Sequence, residues 1–116
     1  MENNLSQLDI LTLLYFYCRS FHSYVIRFEV EFFEEQYQEF FDIIQRYYKS
    51  YDCMPPETAL KLESDKNETD HVLNIYQQIQ ENYVNVKLLS RDYIIEKLDV
   101  FAKNKFLKKF LIESYD

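Results

Sequence analysis

"FFEEQYQEFFDIIQRYYKSYDCMPPETAL", residues 32–60, gathers rings, acids and two adjacent prolines into one segment, and its periodicity decides the fold. Phe33, Tyr37, Phe40, Phe41, Ile44, Tyr47, Tyr48 and Tyr51 recur at the i, i+4, i+7, i+8 spacing that places side chains on one face of an α-helix. Glu35, Gln38, Glu39, Asp42, Gln45, Arg46 and Lys49 take the opposite face, acids leading and bases trailing as the helix dipole prefers. Within that face Asp42 and Arg46 form a favourable i, i+4 pair. The segment therefore reads as one amphipathic helix whose rings line a core rather than stack on a ligand. Pro55 is expected to end it, because the residue before a proline is pushed out of the α region. Pro56 then suits the first turn of a short helix reaching about residue 62.

Working outward, Leu5-Ser6-Gln7-Leu8-Asp9-Ile10 carries a helix start, with Ser6 as N-cap and Asp9 as the reciprocal acid of a capping box. The helix it opens runs to about residue 18 and is apolar all round, which marks it as central. Ser20 is expected to cap a second short helix over 21–27, with a break near 29–31. Beyond the prolines, Asn67 is expected to cap a helix over 68–83 with Val72, Ile75, Tyr76, Ile79 and Tyr83 on one face. After a loop over 85–89, Ser90 caps a last helix from 91 onward, with Ile94, Ile95, Leu98, Phe101 and Ala102 as its core stripe. Val100, Leu107 and Leu111 point roughly opposite to Leu98, so the carboxyl half of this helix is apolar on two faces. A helix in so small a domain cannot bury both, which predicts a shared surface. No stop signal closes the sequence at residues 113–116, as though the helix belonged to something longer.

The 116 residues suit a single domain, 1–116, and the 47% hydrophobic and 18% aromatic content suits a folded globule, which the helices read above make an all-α bundle of about six helices. Glycine is absent altogether, and this excludes several chemistries. A phosphate-cradling P-loop, a G-x-G-x-x-G dinucleotide turn and a G-x-S-x-G nucleophile elbow all need it for close backbone approach or positive φ. Twenty acids against thirteen bases give a net charge of −7, which repels a phosphate backbone, so direct nucleic-acid binding is not expected. The longest apolar run, residues 10–18, is too short to span a bilayer, which needs about 20 residues. With no basic leader before it, a cytoplasmic protein without membrane association is expected. Cys18 and Cys53 fit reduced, structural thiols.

Candidate chemistry is sparse. Glu29, Glu31, Glu34 and Glu35 read as a solvated acidic face, since no metal-ligand spacing accompanies them. His22 and His71 are isolated. Lys103, Lys105, Lys108 and Lys109 form a basic cluster, either complementing a helix C-terminus or contacting a phosphate or partner. No catalytic residue, metal site or cofactor is expected.

The order of elements, Phe32-Phe33-Glu34 ahead of the long helix, "YDCMPPETALKLE" at 51–63 and "DYIIEKLDVFAKNKFLKKFLIES" at 92–114 together resemble the N-terminal domain of DnaB-family replicative DNA helicases, especially those of tailed phages. The resemblance implies a helical bundle whose last helix begins a helical hairpin. It also implies a non-catalytic collar domain, lacking the RecA-like motor domain, that mediates ring oligomerisation and docks primase or a helicase loader in the bacterial host cytoplasm. Val100, Leu107, Phe110 and Leu111 are the expected self-association residues. A second expectation, from charge alone, is a free-standing acidic phage protein that inhibits a host replication or transcription factor. Whether the reading frame continues into a glycine-rich nucleotide-binding loop separates the two.

Overall fold

A computed structural model describes residues 4–114, with side chains described through residue 108. It contains α1 (Gln7–Phe16), α2 (His22–Arg27), a 3-10 turn (Val30–Phe32), α3 (Glu35–Tyr51), α4 (Glu57–Glu63), α5 (Thr69–Val86) and α6 (Arg91–Ser114). No strand occurs among the described residues, so the fold is the all-α bundle of six helices that the periodicities predict.

α1 sits at the centre because no face of it is polar. Ile10, Leu11, Leu13 and Leu14 are all buried, and its most extensive packing is against α5. Its start is the expected capping box: the Asp9 N–H donates to Ser6 Oγ at 3.1 Å and the Ser6 N–H to Asp9 Oδ2 at 3.2 Å. Asp9 has a second task. Its Oδ1 accepts from Asn82 Nδ2 of α5 at 2.8 Å, and the same amide reaches Thr12 Oγ1 at 3.1 Å. Asn82 and Thr12 are the buried polar residues of the core, and each is satisfied by this link between the two helices.

The aromatic stripe of α3 is core, as its spacing predicts. Phe33, Phe40, Phe41, Ile44 and Tyr48 are buried, Tyr37 and Tyr47 are half-buried, and Tyr51 at the helix end is exposed. Ile43, outside the stripe, is buried as well. Rings from other elements close over it: Phe33 lies 4.6 Å from Phe41, while Phe28 and Phe33 lie 5.3 and 5.5 Å from Phe101 of α6. All three are tilted arrangements at centroid separations that aromatic pairs favour. They answer why one segment holds so many rings: it is the wall to which α2, the 3-10 turn and α6 all attach.

Several boundaries differ from expectation, and α1 ends at Phe16, short of residue 18. α3 stops at Tyr51 rather than at Pro55, because Asp52 enters the left-handed region at φ 59° and its N–H closes on the Tyr48 carbonyl at 2.8 Å. The prolines still make the corner, and the buried Pro55 carbonyl accepts the Tyr15 hydroxyl at 2.8 Å. Ser20 does not cap α2. It lies inside a turn in which the Phe21 N–H bonds the Tyr17 carbonyl, whereas a capping serine needs extended backbone. Asn67 likewise lies in a turn, Glu68 takes the cap position, and α5 runs on to Val86. Ser90 does cap α6, accepting the Tyr93 N–H at 3.2 Å. A second arm for the hairpin would fall outside the described residues.

Candidate interaction surface on the last helix

α6 spans 24 residues, about 36 Å at 1.5 Å per residue, against a longest molecular dimension of 39 Å. Its amino-terminal half is anchored. Ile94 and Leu98 are 4% and 0% exposed, and Ile95, Phe101 and Ala102 pack half-buried around them. The Tyr24 hydroxyl donates to Asp99 Oδ1 at 2.5 Å and ties α2 to α6. Burial first, then this bond and the Asp99 charge, push the Tyr24 phenol up to about 12, so it remains a donor across the physiological range.

The outer face of the same helix is uncovered. Val100 is 38% and Leu107 56% exposed, on the side away from Leu98. Tyr93, which sequence reasoning passed over, joins them: Tyr93, Val100 and Leu107 are spaced by seven residues and all three are exposed. That seven-residue count was the available signal, since it is the repeat by which one helix presents a straight seam to another. Phe106 is also exposed but turned to the flank, its ring meeting Phe32 edge-on at 4.9 Å. The other exposed large apolar residues, Tyr51, Leu62, Val84 and Leu88, are distributed over other parts of the fold. Phe110, Leu111 and Lys109 lie beyond the described side chains.

The lysine cluster is divided by the helix. Lys105 and Lys108, with Lys97 from about two or three turns earlier, line a groove of about 460 Å³ between α6 and the amino-terminal end of α1, whereas Lys103 does not. The far wall is made by Leu5, Gln7, Glu34 and Tyr37, and it is held in place by the Glu34 N–H donating to Gln7 Oε1 at 2.7 Å. The Lys105 and Lys97 ammonium groups stand 5.5 and 5.3 Å from the ring centroids of Phe101 and Tyr93.

The remaining candidates have structural partners. His22 Nδ1 meets the Tyr48 hydroxyl at 2.6 Å, and His71 Nε2 donates to the Gln36 carbonyl at 2.7 Å. Cys18 and Cys53 are free thiols, and burial pushes the Cys18 thiol up, away from its reactive form. Among the described residues no group of three or more His, Cys, Asp or Glu is placed to hold a metal ion, and no helix is long and apolar enough to cross a membrane. No known protein family, curated protein or solved structure matches the chain.

Proposed function

We propose that the chain is a non-catalytic oligomerisation and docking domain that self-associates through the outer face of α6. In the setting implied by its sequence resemblance, it serves as the collar domain of a replicative DNA helicase and helps recruit primase or a loader. The observation that carries this reading is the exposure of Leu107 and Val100 in register with Tyr93, on a helix whose opposite face is buried. Single exposed apolar residues are ordinary on a protein surface, whereas three in line on one helix face supply a seam for a second helix. Sedimentation velocity over a range of concentrations tests it. The chain is expected to populate a dimer or larger species, and Leu107→Asp to shift it toward monomer with helicity unchanged, since Leu107 contributes little to the core. A monomer at every concentration would overturn the proposal.

A further inference from the structure

The lysine-lined groove adjoins the proposed seam and shares Val100 with it, but Leu107 and Tyr93 lie outside it and its chemistry is different. The chain carries a net charge of −7, yet Lys97, Lys105 and Lys108 converge on this one cleft, where Glu34 is the one acidic lining residue among those described. None of the three lysines reaches ion-pair distance of a described carboxylate; the ion pairs among the described residues are both made by Arg46. The Lys97 and Lys105 ammonium groups stand over the rings of Tyr93 and Phe101, which restrains them instead of letting them sweep freely. The floor is apolar, formed by Ile10, Leu5 and the half-buried ring of Phe101. At about 460 Å³ the space falls within the range of ligand-holding clefts, roughly 300–1,000 Å³.

The geometry points to a docking groove for a short acidic peptide segment of a partner protein, carrying a short apolar anchor. The lysine rim receives the carboxylates and the floor receives the anchor. A phosphate would use the rim and leave the floor empty, and a polyphosphate strand would be repelled by the acids over the rest of the surface. This inference rests on the docking half of the proposed function and gives that partner its chemistry.

Fluorescence anisotropy on the full chain provides the test, with a labelled peptide of Asp and Glu around a central Leu-Phe pair as probe. Saturable binding is expected, weakening as salt rises from about 50 mM to about 500 mM. The double charge reversal Lys105→Glu with Lys108→Glu is expected to weaken it about tenfold or more, with the circular dichroism spectrum unchanged. A peptide in which Leu-Phe is replaced by Ser-Ser should bind more weakly than the parent, and inorganic pyrophosphate should not displace the parent. Absence of binding, equal binding by the charge-reversed variant, equal binding of the Ser-Ser peptide, or full displacement by pyrophosphate would each overturn the inference. Sedimentation of the same samples separates it from the seam: the lysine variant should lose the peptide and keep its self-association, and Leu107→Asp should do the reverse.

Discussion

At Asp52 the backbone takes φ 59° and ψ 26°, a conformation that places Cβ against the following carbonyl and that glycine adopts without strain. The sequence has no glycine to offer, and an aspartate, whose short side chain tolerates this region, closes α3 in its place. Asp52→Gly is therefore expected to stabilise the fold by about 0.5–1 kcal/mol, after the entropy that glycine adds to the unfolded chain, and Asp52→Val to destabilise it by about 1–2 kcal/mol. Urea titration of both variants checks the pair. Asn82 is the other residue on which local order depends. Removing its amide strips a partner from both Asp9 Oδ1 and Thr12 Oγ1, so Asn82→Ala should cost about 1–3 kcal/mol in the same titration. Neither role was legible beforehand. The missing glycines showed that α3 had to end without one, but a pair of prolines three residues on offered a more obvious stop. An asparagine on a helix reads as polar surface until the helix facing it is known.

The elements were legible where periodicity ran long and obscure where capping was decided by neighbours. α3, α5 and α6 stand on apolar stripes, and α1 on a capping box followed by a continuous apolar run; all four lie close to where these patterns put them. Ser6 caps as expected because its own backbone is extended, while Ser20 fails because it lies inside the turn closed by the Phe21 N–H on the Tyr17 carbonyl. Several elements are then tied together by tyrosine hydroxyls: Tyr15 to the Pro55 corner, Tyr17 to Tyr83 of α5, Tyr24 to Asp99 of α6. Burial foremost raises the phenols of Tyr15, Tyr24 and Tyr48, and the bond to Tyr83 foremost raises that of Tyr17. The folded chain thus keeps protons that the unfolded chain releases from about pH 10 upward. Unfolding then binds fewer protons than the fold, and stability, fully present below about pH 10, falls as pH rises beyond it. Thermal unfolding followed by circular dichroism should show a midpoint that holds between about pH 8 and 9.5 and drops by about pH 11, less steeply in Tyr24→Phe. A midpoint unchanged to pH 11 would contradict this.

For the molecule as a whole, the bundle, its aromatic wall and its two-faced last helix could all be read from spacing, because each follows from which side chains recur on one side of a helix. The groove could not, since it joins residues from the two ends of the chain with Glu34 and Tyr37 between them, and no local pattern connects these. The proposal that α6 shares its outer face with a second subunit is the claim on which the functional reading turns. Cysteine cross-linking reports on it most directly. In a background with Cys18 and Cys53 replaced by serine, Leu107→Cys and Val100→Cys are compared with Leu62→Cys and Leu88→Cys. These control positions are 80% and 88% exposed, more accessible than either seam position. The seam predicts covalent dimers under mild oxidation at 107 and 100 and far fewer at 62 and 88. Equal yields at all four positions, or the highest yields at the controls, would contradict it.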